Sequence, residues 1–156
     1  MNFEAQQNAI KDYIEEHLPA VLNALKLENF DTHKENDKDK DKILIDDFLN
    51  FDRYKQNKML FIIFDYYNFD GLTNQSNQND MTLELTAVFR GANRATTKSN
   101  MMQYSQALYQ MFEESGRCFG GACDFGKVTQ LELFPFAEGN PNMKIAQMTI
   151  QLTTEV

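Results

Sequence analysis

The sequence predicts a single α+β domain, in which two helices cover one face of a mostly antiparallel sheet of about four to five strands. Two segments repeat apolar residues at steps of three and four, which is typical of amphipathic helices. Between and after them lie segments whose apolar residues alternate or run together, as in strands. The resulting order is an N-terminal helix, one to three strands, a second helix packed on one face of the sheet, and a C-terminal β-hairpin. The length of 156 residues is that of one domain, so we expect the domain to span 1–156.

The first helix is predicted from an apolar stripe that begins at Phe3 and ends at Leu25. Between them the stripe includes Ile10, Tyr13, Ile14, Leu18, Val21 and Leu22, which fall on one side of a helix with 3.6 residues per turn. Pro19 lies inside the stripe, where a proline removes one backbone hydrogen bond and clashes with the preceding turn. Either the helix is kinked there, or Pro19 begins a second short helix. Because the stripe stays in phase across Pro19, we favour the kink.

Residues 31–42 form a charged segment without a large apolar residue. Nothing in it offsets the entropy lost on ordering, so we expect a mobile charged linker. Three aspartates have the spacing of the first, third and fifth ligands of a calcium loop: Asp37, Asp39 and Asp41. However, Lys42 stands where that loop needs a glycine, and Phe48 where it needs a bidentate glutamate. We therefore expect no metal site here.

Strands are predicted on both sides of a polar loop. Residues 43–51 are ambiguous between strand and helix, and we favour a strand start. Residues 59–67 are short and rich in β-branched and aromatic side chains, which predicts a strand buried on both faces. A long exposed loop is expected over 68–81. In 82–90, one face carries Leu83, Leu85, Ala87 and Phe89, and the other, wetter face carries Thr82, Glu84, Thr86, Val88 and Arg90.

The second half of the chain predicts the second helix at about residues 97–115, before Gly116. A glycine-rich connection follows, and then two strands, 127–136 and 143–155, with a turn at 138–141. We expect the core to join both helices to the sheet. Its predicted members include Leu108, Met111, Phe112, Ile63 and Ile150.

The charge balance is acidic, with 15 Lys and Arg against 23 Asp and Glu and a net charge of −8. Nucleic acids and anionic membrane surfaces are bound through many basic contacts, so we expect neither as a partner. The longest apolar run, 59–64, is far too short to span a bilayer. The N-terminus lacks the basic and then apolar pattern of a signal peptide. We therefore expect a cytoplasmic protein.

Catalytic motifs are missing from the sequence: it has no Gly-x-Ser-x-Gly elbow and no phosphate-binding glycine loop. His17 lies beside the apolar stripe of the first helix, and His33 lies in the charged linker. Cys118 and Cys123 are expected to be reduced, as is usual in cytosolic proteins. Three acids flank the predicted polar loop and are interpreted as solvated: Asp65, Asp70 and Asp80. We expect no enzyme activity, no cofactor and no catalytic residue.

A basic cluster interrupts this acidic background. Arg90, Arg94 and Lys98 lie within nine residues, with no acid between them, at a predicted strand-to-helix turn. Backbone N–H groups and the helix dipole favour anions at such a turn. The cluster is a candidate docking site for an acidic partner, including another copy of this chain. The alternatives are a phosphate site and simple balance of local charge.

The order of elements and several short motifs resemble the small tail proteins of phages and prophages, namely a tail protein of Mu-like phages and the tail terminator or tail completion proteins of long-tailed phages. The resemblance rests on Ile-Glu-Glu-His-Leu-Pro-Ala-Val-Leu at 14–22, the apolar strand 60–67, Phe-Arg-Gly-Ala-Asn-Arg at 89–94, Leu-Tyr-Gln-Met at 108–111 and the Gln- and Thr-rich strand 147–154. The charged linker and the Cys-Phe-Gly-Gly-Ala-Cys loop at 118–123 depart from this pattern.

This resemblance implies a non-enzymatic structural role in virion assembly. Such proteins form oligomers, often rings, that cap the tail tube or join it to other parts. The implied partners are other copies of the chain and tail tube or head–tail proteins, and the implied location is the bacterial cytoplasm and then the virion tail. Two other classes remain open: a monomeric protein-binding module of prophage or host, and a small-ligand or calcium-binding domain.

Overall fold

The fold is α+β, as predicted. A computed structural model describes residues 3–34, 38, 40–46, 53–70, 78–134 and 142–155, with the backbone alone at 66–70 and 78–79. The elements in chain order are α1 (Phe3–Ala24), β1 (Leu44–Ile45), β2 (Lys58–Asp70), β3 (Gln78–Arg90), α2 (Arg94–Glu114), β4 (Phe125–Phe134) and β5 (Met143–Glu155).

One five-stranded sheet has the strand order β1-β2-β3-β5-β4. Only β1 and β2 are parallel, and every other neighbouring pair is antiparallel. The predictions of a mostly antiparallel sheet and a C-terminal pair of antiparallel strands are therefore confirmed. The two-residue β1 also confirms a strand start after the linker, whereas 47–52 lie outside the described residues.

The expected loop over 68–81 was wrong at both ends. β2 continues to Asp70 and β3 begins at Gln78, so only 71–77 lie outside the described residues. The cause is pairing: β3 is bonded to β5 along its whole length, from Gln78 opposite Glu155 to Arg90 opposite Met143. Backbone ladders satisfy N–H and C=O groups whatever the side chains are, so polar residues extend a strand that already has partners.

Both helices lie against one side of the sheet, which we call the helix face, and the other side is the open face. Residues directly opposite each other in neighbouring strands share a face, so the register assigns every strand residue to one of the two. Leu108, Met111, Phe112 and Ile150 are buried in the helix-face core, as predicted. Ile63 is only half-buried, since its partner across the ladder is Glu84 on the open face.

Part of the open face is also buried. Ile45, Met59, Phe61, Val88 and Met143 form a second, smaller apolar cluster there. β2 is therefore buried on both faces over Met59–Ile62, whereas Ile63 and Phe64 are half-buried and Asp65 is exposed, so the predicted burial on both faces holds only for the first part of the strand. Val88, which was expected on the wetter face of its strand, is instead fully buried, because β2 and β5 bring apolar neighbours to both sides of it.

The helix ends are set locally. α1 is one helix that contains Pro19, which excludes a second helix beginning there. α2 begins at Arg94, three residues before the predicted start, because the Asn93 side chain accepts a hydrogen bond from the Thr96 N–H at 3.1 Å. Asparagine is among the best N-cap residues, since its side-chain oxygen replaces a missing backbone acceptor.

The predicted linker is attached to the domain at both ends. Asp31 exchanges two hydrogen bonds with Lys58, through its backbone N–H at 2.8 Å and its carboxylate at 2.9 Å. His33 and Lys42 form a two-bond antiparallel bridge, at 2.7 and 2.9 Å. Residues 35–37 and 39 lie outside the described residues, so mobility of the linker stays a prediction.

We predict that Leu108→Ala lowers the free energy of unfolding by about 2–5 kcal/mol, because Leu108 is fully buried between α2 and the sheet and leaves a cavity when truncated. Urea melts give this value. Met102→Ala on the exposed side of the same helix is the control and should change stability by less than about 0.5 kcal/mol. Equal effects of the two substitutions would contradict the assignment of the buried side of α2.

Candidate protein-interaction surface

The three basic residues predicted as a docking site lie on two elements, Arg90 at the end of β3 and Arg94 and Lys98 on α2. Arg90 lies on the open face, where its guanidinium donates to the Gln56 carbonyl oxygen at 3.1 Å and lies 3.5 Å from the Met59 sulfur. Arg94 and Lys98 are exposed on the first turns of α2, which packs on the helix face. Arg90 therefore has a structural role beside the open-face cluster, and the exposed basic site is reduced to Arg94 and Lys98.

Exposed large apolar side chains are concentrated on β4, on both faces of the strand, and sequence reasoning missed them. Of the six large apolar side chains that are markedly exposed, four belong to this strand: Phe125 at 55%, Leu131 at 44%, Leu133 at 40% and Phe134 at 37%. Leu131 and Leu133 point to the helix face, opposite Met148 and Ala146. α2 covers β3 and β5 rather than β4, so these two leucines stay in contact with solvent.

The backbone of β4 is open as well. β4 is the last strand in the sheet and is paired with β5 on one side only. An edge strand presents unpaired N–H and C=O groups, which another chain can bind by adding a strand. The opposite edge is the two-residue β1, and both of its residues are buried. Among the described strands, β4 is one of two long edges, because β1 pairs only with Leu60 and Phe61 and leaves the outer side of β2 beyond Phe61 without a partner strand. Of the two, β4 carries the four exposed apolar side chains.

A pair of carboxyl groups lies on the open face, where Asp65 comes close to Glu84. Burial, a hydrogen bond with Asp65 and repulsion by its charge raise the pKa of Glu84 to about 7. The Gln147 amide donates to Glu84 at 3.1 Å, and the Thr153 hydroxyl donates to Asp80 at 3.1 Å. Sequence reasoning missed Glu84, because its approach to Asp65 depends on a register shift between Phe64 and Tyr66.

The two histidines lie in separate local environments, one exposed and one buried. His17 is exposed and stacks on Tyr13, with ring centroids 4.0 Å apart. His33 is buried, and its Nε2 donates to the Leu44 carbonyl oxygen at 2.7 Å, since a carbonyl only accepts. His33, which was expected to lie in a mobile linker, is therefore buried and fixed by its ring hydrogen bond.

Both cysteines have free thiols, as expected. The Cys118 thiol donates to the Ser115 carbonyl oxygen at 3.4 Å. Burial raises the pKa of Cys123 to about 12, so this thiol stays protonated at neutral pH. A thiol without thiolate character is a poor nucleophile.

No cluster of metal-ligating side chains occurs within the described ranges. Of the three aspartates with calcium-loop spacing, Asp37 and Asp39 lie outside the described residues. Asp41 is exposed and lies 3.5 Å from the Lys34 ammonium group, which lowers the negative charge available to a cation. Neither helix of the described chain is long and apolar enough to cross a membrane.

Comparison with known proteins assigns no family: no protein-family model matches the chain, and no curated protein matches it at a significant level.

We predict that the carboxyl pair makes stability depend on pH. Below about pH 4.5, the ordinary pKa, Glu84 is protonated in both the folded and unfolded states. As the pH rises to about 7, the unfolded state releases this proton first, so the free energy of unfolding falls. Glu84→Gln removes this effect, and the variant should exceed the parent in stability above pH 7 while matching its trend below pH 4.5. Urea melts across this pH range measure the difference.

Glu16→Gln, on the exposed side of α1, is the matched control for the loss of one carboxyl group. Its stability difference from the parent should not grow between pH 4.5 and 7. If the stability difference between Glu84→Gln and the parent also stays constant between pH 4.5 and 7, the folded protein does not hold a proton at Glu84.

Proposed function

We propose that the protein is a non-enzymatic assembly protein of a phage or prophage tail, which caps or joins the tail tube as an oligomer. It is made in the bacterial cytoplasm and then enters the virion tail. The observation that carries the proposal is the exposed edge strand β4, which combines unpaired backbone groups with four exposed apolar side chains. Long apolar edges of this kind mark sites of association with another chain.

The motif resemblance supports the choice of a tail among possible assemblies. The helix, two long paired strands, second helix and final strand pair follow the order that this resemblance implies. The partners proposed on this basis are other copies of the chain and tail tube or head–tail proteins.

Charge supports the same role. The chain has a net charge of −8, so copies repel each other at long range. Arg94 and Lys98 are exposed at the start of α2, and the shallow groove that includes Lys98 also contains Met102 on the next turn. A basic site beside an exposed apolar side chain suits an acidic partner surface. Such exposed contacts steer association and set orientation more than they add affinity.

We predict that Arg94→Ser/Lys98→Ser weakens docking on tail tubes by about tenfold, which corresponds to the loss of two exposed ion pairs. Added salt should weaken docking of the parent in the same way, since exposed charges are screened beyond about 8–10 Å. The measurement is cosedimentation with purified tail tubes at low and high salt, with the capped tubes counted by electron microscopy.

Lys40→Ser/Lys42→Ser removes the same charge from exposed positions on the linker and is the matched control. It should dock like the parent. If both double variants dock equally well, Arg94 and Lys98 only balance local charge and do not contact the tube. A parent protein that neither sediments with tubes nor caps them would overturn the tail function itself.

A further inference from the structure

We propose that β4 pairs antiparallel with β4 of a second copy, about a two-fold axis that passes through Gln130. The two sheets then form one continuous ten-stranded sheet, twice the five strands of one chain. The inference rests on the proposed function, since it names the partner and the register of the self-association that an assembly protein requires.

The register follows from an irregularity inside β4. The pairing of β4 with β5 shifts between Val128 and Gln130, so Thr129 is an extra residue in the ladder. Without this shift, residues an odd number apart would lie on opposite faces. With it, Lys127 and Glu132 both lie on the open face, opposite Gln151 and Gln147 of β5. The bulge therefore makes the two halves of β4 equivalent in the faces that they present.

Without Thr129, the strand has four residues on each side of Gln130, and the two sides match in the face that each position presents. About a two-fold axis at Gln130, four kinds of pair result on each side: Val128 with Leu131, Lys127 with Glu132, Gly126 with Leu133, and Phe125 with Phe134. In each pair both members lie on the same face of the sheet, as antiparallel neighbours must.

The charges in this register are complementary. Lys127 and Glu132 are the only charged residues of β4, so the strand is neutral in a chain of net charge −8. Lys127 makes no ion pair with any described residue, and Glu132 accepts a hydrogen bond from the Gln130 side chain of its own strand. Self-pairing gives each lysine a carboxylate directly opposite, twice per dimer.

The exposed apolar side chains gain neighbours in the same register. Phe125 and Phe134 meet across the axis on the open face, and aromatic cross-strand pairs are among the most stabilising. On the helix face, the uncovered Leu131 meets Val128 of the second copy. A two-fold contact uses the same surface on both copies, so it closes as a dimer and leaves Arg94 and Lys98 of each copy exposed.

The first experiment exchanges the charges. In sedimentation equilibrium of the full chain, Lys127→Glu and Glu132→Lys should each raise the dimer dissociation constant by about tenfold, because each places like charges opposite one another twice. The double variant Lys127→Glu/Glu132→Lys restores opposite charges and should return the constant to within about twofold of the parent. If the dissociation constant of the double variant is raised by the product of the two single effects, the proposed register is wrong.

The second experiment tests the axis directly. Gln130→Cys should form a disulfide-linked dimer under mild oxidation, since residue 130 lies opposite itself. Gln151→Cys, exposed on the open face of β5, is the matched control and should stay monomeric on a non-reducing gel, as should the parent with its two native thiols.

The outcomes separate this inference from the proposed function. A chain that is monomeric at every concentration overturns the β4 pairing, as does a β4 edge that gains hydrogen-exchange protection only when tail tube protein is added. A dimer that is insensitive to both experiments forms through another surface, which overturns the pairing and leaves self-association standing. A β4-linked dimer that never caps tubes supports the pairing and counts against the tail role.

Discussion

The central strand β3 is the constraint on which the rest of the structure depends. It is paired with β2 on one side from Gln78 to Phe89, and with β5 on the other side from Gln78 to Arg90. This double register decides which side chains face the helices. Leu85, for example, lies between Ile62 and Met148, and all three are buried in the helix-face core. A slip of one residue would transfer these side chains to the open face and bring Glu84 and Thr86 into the core.

The two helices are too few to cover all five strands, and the uncovered part carries the proposed function. α2 packs over β3 and β5, and α1 packs beside α2 and contacts β1. The far edge at β4 is left without a helix, although its leucines have the same inward orientation as the core residues of β5. In an isolated domain this arrangement exposes apolar area to water. A second chain added at β4 would complete both the cover and the backbone pairing.

The open face shows how local environment changes the behaviour of ordinary acidic residues. Asp80 is satisfied by the Thr153 hydroxyl, whereas Glu84 lies beside Asp65 and its pKa rises to about 7. The same face holds the small apolar cluster at its other end, anchored by Phe61 and Val88. The open face therefore has a buried apolar end and a polar end that holds the Glu84 proton. Arg90 lies at the apolar end, where it contacts Met59.

The sequence by itself determined the α+β class, both helices, the burial of the first part of β2 on both faces and most core positions, because periodic apolar residues are a local property of the chain. The helix start and the strand ends were not predicted from the sequence. Asn93 caps α2 three residues before the predicted start, and polar residues extend β2 and β3 where partner strands supply hydrogen bonds. Only the tertiary structure brought Arg90 to Gln56 and Met59, brought Glu84 to Asp65 and left β4 without a helix above it. Each of these depends on pairing between distant segments and on bulges that change a side chain's face, which no local pattern records.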